Sequence, residues 1–314
     1  MKQITHRGRF APSPSGRLHV GNMISSLLAW LDIRSIGGEM IFRLEDLDPD
    51  RSTYENACYM AEDMQWLGLD WDIGWTPSTQ PIYAQSNRTE LYESIFSELE
   101  RKGLIYPCFC SRAQRLAASA PHPGEIRDIG CGCRNLTDAE IMDFKTSRKF
   151  SYKVHVDDCE IKFTDDHYGA QSFSMISRKD DFIIRRADGV FAYQLAVSYD
   201  DAVMGVTRVV RANDLLDSSP KQIWLFKQMG YTPPTYCHAP LLVAANGRKM
   251  SKRDGDLCMR ELRKTHTPEE LCGKLAYLCG LLNSPEPVSP ADLVSEFSWS
   301  KVPTENIILP DNLF

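Results

Sequence analysis

The segment RFAPSPSGRLHVGN, residues 9–22 of this 314-residue chain, has the pattern of a strand end, a proline-rich turn and the first turn of a helix. Pro12 and Pro14 restrict their own φ and disfavour helical backbone in the residue before each of them, so the turn is expected to be extended and stiff. Apolar residues then recur at helical spacing, at Met23, Leu27, Leu28 and Leu31. A strand that turns directly into a helix N-terminus is a typical anion-binding corner of an α/β sheet.

His19 lies where the N-terminus of this helix would direct it towards a phosphate, and Gly21 allows the backbone to approach a ligand. The HVG triplet by itself is also compatible with an ordinary turn that carries a surface histidine, because short motifs match by chance. A second motif, KMSK at residues 249–252, favours the ligand site. HVGN followed by KMSK resembles the two signature motifs of class I aminoacyl-tRNA synthetases. In that family the first motif holds ATP, and the second lysine of the later motif, here Lys252, stabilises the phosphates as pyrophosphate leaves.

The composition, with 43% hydrophobic and 25% charged residues, is typical of a soluble globular protein. No apolar run reaches the roughly 20 residues needed to span a bilayer, and the N-terminus lacks a signal-peptide core. We therefore expect a cytosolic protein without a membrane partner, whose ten cysteines stay reduced. The formal net charge of −6 argues against an indiscriminate nucleic-acid binder but permits a local basic groove.

An apolar run at residues 40–44 predicts a parallel strand, and the carboxylates of Glu45, Asp46 and Asp48 follow it. Carboxylates beyond the C-terminal end of a parallel strand lie where α/β sheets bind ligands. The same residues would also suit a solvated turn or a helix N-cap. Two segments with helical spacing come next, at residues 54–67 and 83–102.

Two CxC pairs, Cys108 with Cys110 and Cys131 with Cys133, are separated by about twenty residues. Four thiolates are the number that a tetrahedral structural zinc requires, and metal binding could supply folding energy to a loop that is poor in apolar residues. The paired spacing in a cytosolic chain favours Zn²⁺, with His122 as a reserve ligand. The alternatives are plain buried thiols and redox-labile cysteines.

Period-two alternation predicts an antiparallel insertion with strands at residues 150–156, 159–165 and 181–186. Asp188-Gly189 predicts a tight turn between the last of these strands and VFAYQLAV at 190–197.

The chain is then expected to return to the main sheet. The predicted elements are a strand within 203–210, a helix at 220–229, a short strand at 240–245 and a turn at 246–247. A capping box from Thr267 to Glu270 predicts a further helix. A last helix is expected to begin near Pro290, followed by a short irregular tail.

Six ordered motifs carry a closer resemblance. They are RFAPSPSG at 9–16, HVGN at 19–22, FRLEDLDPDR at 42–51, FAYQLAV at 191–197, GVTRVVRANDLL at 205–216 and RKMSKRDG at 248–255. They resemble glutamyl-tRNA synthetases over nearly all of residues 7 to about 280. Those enzymes continue into a large helical anticodon-binding region, whereas only some sixty residues follow KMSK here. The chain is therefore similar to the truncated branch of the family, which activates L-glutamate with ATP and Mg²⁺ and transfers it to queuosine, the modified wobble base of tRNA(Asp).

The resemblance implies an α/β fold of the class I synthetase type. It consists of a Rossmann-like doubly wound parallel sheet with a zinc-bearing insertion and a C-terminal helical segment. The expected parts are residues 1–105 and 191–255 for the two halves of the catalytic domain, 106–190 for the zinc-binding and antiparallel insertion, and 256–314 for the helical segment. The KMSK loop belongs to the second half.

The resemblance also assigns site residues position by position. The glutamate pocket is matched by Arg9, Ala11, Ser13, Glu45, Tyr193 and Arg211. The ATP motif is matched by His19, Gly21 and Asn22, and the mobile phosphate loop by Lys249, Ser251 and Lys252. His19, Lys249 and Lys252 are the implied catalytic residues. Within the pocket, Glu45 would hold the substrate ammonium, Tyr193 would form an aromatic wall, and the planar fork of Arg211 would pair with a substrate carboxylate.

Three positions bear on the branch of the family. Val197 stands where full-length enzymes usually have asparagine, which is typical of the truncated branch. The KMSK sequence is kept intact, whereas that branch often departs from it. The family zinc site commonly uses a tyrosine four residues before the last cysteine, and Ile129 occupies that position here, so Cys131 would have to serve as the fourth ligand.

Three functions remain open on the sequence. The first is glutamylation of queuosine in tRNA(Asp). The second is a compact glutamate ligase that charges a tRNA 3′ end or another small acceptor. The third belongs to a different class, an inactive RNA-binding paralogue, and the retention of His19, Glu45, Arg211 and Lys252 argues against it.

Overall fold

The computed structural model describes residues 6–78, 81–110, 131–244, 246–248, 257–310 and 312–314. The KMSK loop with Lys249, Ser251 and Lys252 lies outside the described residues, as do His122 and Ile129.

The central sheet is parallel and is built from the two halves of the chain. Strands β1 (Arg7–Phe10), β2 (Glu39–Phe42) and β3 (Ile73–Gly74) pair in the order β1-β2-β3, and β9 (Arg208–Ala212) pairs in parallel with β10 (Thr235–Ala239). Thr207, just before β9, donates its backbone N–H to the carbonyl of Arg7 at 2.9 Å, so β9 runs beside β1. The sheet therefore continues on both sides of β1. Sheets of this kind bind ligands in the crevice at the carboxyl ends of the strands, here those of β1 and β9.

Helices cover this sheet and form the C-terminal part of the chain. They are α1 (Val20–Ser35), α2 (Tyr54–Trp66), α3 (Thr89–Arg101), α4 (Asp138–Ser147), α5 (Tyr193–Val203), α6 (Ser219–Gln228), α7 (Met259–Thr265), α8 (Pro268–Leu278) and α9 (Pro290–Leu293). None of the helices in the described ranges is long and apolar enough to cross a bilayer.

Helix α1 confirms the interpretation of the opening motif. The predicted stripe of Met23, Leu27, Leu28 and Leu31 is fully buried. The helix begins at Val20, two residues earlier than predicted, and His19 is its N-cap. Gly37 follows the helix end with φ of 67°, a backbone conformation that glycine adopts without strain.

The insertion is antiparallel, as predicted. Strands β4 (Ile105–Cys108), β5 (Ser151–Val154) and β8 (Ile183–Arg185) form one sheet. Strands β6 (Cys159–Asp165) and β7 (Gly169–Met175) form a hairpin, whose second strand was not predicted. The hairpin joins the central sheet where Asp165 of β6 pairs with Tyr236 of β10.

The segment VFAYQLAV continues the antiparallel pairing, as expected, only as far as Ala192. Phe191 forms an antiparallel bridge with Arg185, and Ala192 donates its N–H to the carbonyl of Ile184 at 2.8 Å. The predicted turn is present, because Arg186 and Val190 are hydrogen bonded across Gly189, but Tyr193 then begins helix α5. Leu195, Ala196 and Val197 are completely buried in this helix. A short apolar run that is buried on all sides looks the same in sequence whether it forms a strand or a helix.

The last helix begins at Pro290, as predicted, but the tail after it was wrongly expected to be irregular throughout. Of the described residues 240–244 in the predicted strand, Leu242–Val243 form a strand, β11, and β12 (Ile307–Ile308) pairs with it in parallel. Strand β10, just before this segment, was not predicted at all. The Thr267 capping box that starts α8 is confirmed, since Thr267 and Glu270 exchange backbone-to-side-chain hydrogen bonds.

Candidate active site

A pocket of about 440 Å³ opens at the carboxyl ends of β1 and β9. The seven predicted residues that line it are Arg9, Ala11, Ser13, Asn22, Glu45, Tyr193 and Arg211. They come from five separate places in the chain: the end of β1, the start of α1, the end of β2, the start of α5 and β9. The pocket therefore unites the residues matched to glutamate with one residue of the ATP motif.

The proline-rich turn holds Glu45 in place. Within the turn the backbone N–H of Ser15 donates to the carbonyl of Ser13 at 2.8 Å, and the carbonyl of Pro12 accepts a hydrogen bond from the N–H of Glu45 at 3.0 Å. The carbonyl of Pro14 accepts another from Thr53, the N-cap of α2, at 3.2 Å. The stiff segment thus connects β1 to the residues beyond β2, which explains why proline suits both positions.

Buried charges surround Glu45. Arg43 is fully buried and contacts Glu45 at 3.1 Å and Asp201 at 2.7 Å, and Arg9 lies 3.4 Å from Asp201. Burial raises the pKa of Glu45, although the positive charges of Arg43 and Arg9 oppose the rise. Burial would likewise raise the pKa of Asp201, but Arg43 and Arg9 outweigh it and hold that pKa below its usual range.

Arg211 is almost completely buried, with 6% of its surface exposed. Its Nη1 donates to Gln222 Oε1 and its Nη2 to Ser219 Oγ, both at 2.7 Å, and its Nε donates to His238 Nε2 at 3.0 Å. The guanidinium carbon lies 5.0 Å from the ring centre of Tyr236, within cation–π range. These contacts fix one cation at the pocket wall.

His19 and Gly21 form the first turn of α1 beside the pocket. A Cβ on Gly21 would lie 3.1 Å from Cε1 of the His19 ring, so glycine leaves room for that ring over the helix start. Asn22 Oδ1 accepts the backbone N–H of His19 at 3.2 Å. The free N–H groups of a helix N-terminus favour an anion at this point.

Both flanks of the KMSK loop return to this helix start. On one side Leu242 lies 3.8 Å from the position of a Cβ on Gly21. On the other side Cys258 forms an antiparallel bridge with His19, and Met259 donates its N–H to the carbonyl of Leu18 at 2.9 Å. The described residues on either side of the KMSK loop therefore lie beside HVGN, and KMSK itself lies outside the described residues.

The structure also brings the sulfurs of Cys108, Cys110, Cys131 and Cys133 within 4.8 Å of one another. The shorter separations are 3.3 Å between Cys108 and Cys131 and 3.4 Å between Cys110 and Cys131. Four metal–sulfur bonds of about 2.3 Å in a tetrahedron place the sulfurs roughly 3.8 Å apart, so the set fits one metal ion. Cys131 is one of the four clustered sulfurs, and the backbone N–H of Phe109 points to Cys133 Sγ at 3.4 Å.

Several residues of the site were not predicted. Arg43 and Asp201 support Glu45 and Arg9, and His238 with its partner Asp165 supports Arg211. The only local signal was a charged residue inside an apolar run, such as Arg43 in IFRLE. A partner 158 residues away, as Asp201 is from Arg43, leaves no trace in the local pattern.

Comparison with known proteins agrees with this geometry. Residues 5–286 match the family described as tRNA synthetases class I (E and Q), catalytic domain. Glutamyl-Q tRNA(Asp) synthetase of Symbiobacterium thermophilum is 45% identical, over 96% of this chain and 95% of its own length. The enzyme of the same name from Nitratidesulfovibrio vulgaris is 42% identical, over 98% of this chain and 96% of its own length.

Among solved structures, glutamate-tRNA synthetase of Elizabethkingia anophelis superposes with a TM-score of 0.81 at 24% identity, over 98% of this chain and 69% of that chain. That likeness shows the fold. By sequence and by fold, the chain belongs to the class I tRNA synthetases for glutamate and glutamine and, within them, to the glutamyl-Q tRNA(Asp) synthetase family.

Proposed function

We propose that this protein activates L-glutamate with ATP and transfers it to queuosine in the anticodon of tRNA(Asp). The observation that carries the proposal is one pocket lined by a carboxylate, Glu45, whose side chain is 9% exposed, and by a buried guanidinium, Arg211. A zwitterionic amino acid with an acidic side chain needs both charges. The names of the relatives support the acceptor, tRNA(Asp).

Within the pocket, we expect Glu45 to pair with the ammonium group of the substrate glutamate and Arg211 to pair with its side-chain carboxylate. Arg9, Ala11 and Ser13 complete the wall, together with the ring of Tyr193. Burial raises the pKa of the Tyr193 hydroxyl, so this residue is a neutral wall of the pocket. Buried charges of this kind act strongly on a ligand, because little water competes for them.

We expect ATP to bind at the N-terminus of α1, next to His19, Gly21 and Asn22. The α-carboxylate oxygen of glutamate attacks the α-phosphorus, and the bond from that phosphorus to the leaving pyrophosphate breaks. Positive charge and backbone donors supply most of the catalysis in such a transfer. We expect the KMSK loop to supply positive charge and hydrogen-bond donors through Lys249, Ser251 and Lys252. Mg²⁺ is expected to accompany the nucleotide.

A second cavity of about 250 Å³ adjoins the first one and shares Ser13, Glu45 and Tyr193 with it. Its other walls include Leu47, Val190, Phe191 and Ala192. We infer that the acceptor enters here, because an incoming hydroxyl must reach the carbonyl carbon of the adenylate from a side that glutamate and ATP leave open. The hydroxyl oxygen then forms the ester bond, and AMP leaves.

Zn²⁺ is the metal that best fits four cysteine thiolates in one tetrahedral set. Cys108, Cys110, Cys131 and Cys133 would hold it, and four protein ligands leave no position for a reacting water. Its proposed role is to stabilise the insertion. The reaction is expected in the cytosol, where the cysteines stay reduced.

The test is glutamate transfer to two RNAs: tRNA(Asp) with queuosine, and the same tRNA with guanosine at that position. We expect transfer to the modified tRNA alone, and the reaction should survive removal of the 3′ terminal adenosine. Transfer that ignores queuosine and needs the 3′ end would indicate a compact acceptor-end ligase instead. Failure to exchange pyrophosphate with ATP in the presence of glutamate would indicate a catalytically inactive paralogue.

A further inference from the structure

Arg211 is supported by a buried pair of residues to which the chemistry above gives no role. His238 on β10 and Asp165 at the end of β6 have 0% and 1% of their surfaces exposed. Nδ1 of His238 lies 2.6 Å from Oδ2 of Asp165, and Nε2 of the same ring lies 3.0 Å from Nε of Arg211. The three side chains form one chain of hydrogen bonds that ends at the pocket wall.

The direction of this chain follows from the donors. The guanidinium of Arg211 can only donate, so Nε2 of His238 must accept and carries no proton. The ring proton is therefore on Nδ1, and it is donated to the carboxylate of Asp165. Burial and the positive charge of Arg211 lower the pKa of His238, which keeps the ring neutral as this arrangement requires.

Asp165 is itself held rigidly. Its Oδ1 accepts the backbone N–H groups of His167 at 3.1 Å, Tyr168 at 2.9 Å and His238 at 3.2 Å. A carboxylate with this many donors has little freedom to rotate, so it fixes both the tautomer and the orientation of the histidine ring.

We infer that Asp165 and His238 are positioning residues that orient the fork of Arg211 and thereby make the pocket select glutamate over glutamine. The inference rests on the proposed role of Arg211 as the anchor of the substrate side chain. It adds two supporting residues, Asp165 and His238, that are not among the described residues lining the pocket.

The selectivity follows from the chemistry of the fork. Each Nη atom of Arg211 carries one N–H beyond those taken by Gln222 and Ser219, and a guanidinium offers donors only. A carboxylate accepts both donors, whereas the carboxamide of glutamine would turn its own N–H groups towards one of them. A fork that rotates about its Nε end loses this distinction, because it can then present one donor to the carboxamide oxygen alone.

The chain offers a matched control in the next residue. Asp166 pairs with Arg208 at 2.8 Å, on the same strand β9 as Arg211, but Arg208 is bonded at its other end to Asp32. Asp166→Asn therefore disturbs a neighbouring carboxylate–arginine pair without touching His238. Asp165→Asn and His238→Ala weaken the positioning chain, and His238→Gln keeps an oxygen that can accept from Nε of Arg211.

Pyrophosphate exchange gives kcat and KM with glutamate and with glutamine for these variants and for Arg211→Lys. KM for ATP and the melting temperature are measured for the same set of proteins. We expect His238→Ala to lower kcat/KM for glutamate by roughly 100-fold, mainly by raising KM. The ratio of kcat/KM for glutamate to kcat/KM for glutamine should fall as well. Asp165→Asn should act in the same direction, His238→Gln should recover part of the ratio, and Asp166→Asn should match the unmodified protein. KM for ATP should change little throughout.

Two results would overturn the inference. One is a glutamate-to-glutamine ratio in His238→Ala and Asp165→Asn equal to that in Asp166→Asn. The other is a parallel loss of all parameters, KM for ATP included, which would mean a merely structural role. If His238→Ala does not fold, Asp165→Asn and His238→Gln decide by the same ratio. If Arg211→Lys leaves the kinetics with glutamate unaltered, the proposed role of Arg211 in the glutamate site fails as well. If Arg211→Lys changes these kinetics but His238→Ala does not, only the inference about His238 and Asp165 is overturned.

Discussion

Nη1 of Arg43 lies 2.7 Å from Oδ1 of Asp201, and the two side chains have 0% and 4% of their surfaces exposed. This ion pair joins the end of β2 to helix α5, which are 158 residues apart in sequence. Arg43 also contacts Glu45, so the pair is part of the charge balance of the pocket. The fold and the proposed glutamate site therefore depend on the same buried charges.

Asp201→Asn should destabilise the protein by about 3–5 kcal/mol, because it leaves the buried guanidinium of Arg43 without its shortest ion pair. Denaturant unfolding measures the loss. Since the pKa of Asp201 is held low, its contribution is present above the ordinary aspartate pKa of about 4 and is lost as the pH falls through the depressed value. The gap between variant and parent should therefore narrow in acid. Glu98→Gln, which removes a surface pair with Lys102, is the control and should change little.

Glutamate affinity should fall as the pH is lowered through the raised pKa of Glu45, because the protonated carboxyl no longer attracts the substrate ammonium. Calorimetric titration between about pH 4.5 and 7 measures this effect. The substrate side chain titrates near pH 4.3, so Glu45→Gln is needed for comparison. That variant should bind weakly at neutral pH and lose the upper part of the pH dependence. Equal affinity in variant and parent would contradict the role of Glu45.

Lys252→Ala should lower the rate of glutamate activation by roughly 100-fold while glutamate binding stays nearly intact, because the charge acts on the leaving pyrophosphate. Pyrophosphate exchange and direct glutamate binding separate the two effects. Lys264→Ala, which removes an exposed cation on helix α7, the next helix along the chain, is the matched control. An unchanged activation rate would exclude Lys252 from catalysis.

Val190→Trp should fill the second cavity and leave glutamate activation close to that of the parent protein, because Val190 does not line the first pocket as described. Transfer to queuosine-containing tRNA(Asp) should fall by roughly 10-fold or more, since the acceptor loses its approach. Ile176→Trp, at an exposed position after β7, controls for the added ring. If both reactions fall together, or neither falls, the acceptor enters elsewhere.

Removal of the proposed zinc by a chelator, or Cys131→Ser, should make the insertion sensitive to protease while pyrophosphate exchange persists. The cluster of four thiols is separate from the residues that line the pocket, so its loss should act on local stability. Elemental analysis of the untreated protein should give one zinc per chain. Cys159→Ser, outside the cluster, should keep both the metal and the resistance to protease. Complete loss of exchange without metal would indicate a role beyond structure.

Much of the fold was predictable because its signals are local. The proline-rich turn, the start of α1, the caps at Thr267 and Gly37 and the two CxC pairs depend on neighbours a few residues away. Sequence motifs likewise predicted seven of the residues that line the pocket. Helix α5 was missed because its apolar run is buried on all sides, which removes the periodicity that distinguishes a helix from a strand.

The partners of the charged residues depended on the tertiary structure. Asp165 and His238 are 73 residues apart, and β11 and β12 are paired across more than sixty residues. Such contacts arise only when the sheet order brings distant segments to one edge, and no local propensity encodes that order. The sequence alone determined which side chains were available for the chemistry. The fold determined which of them were buried together, and burial strengthens the electrostatic interactions of their charges because little water competes for them.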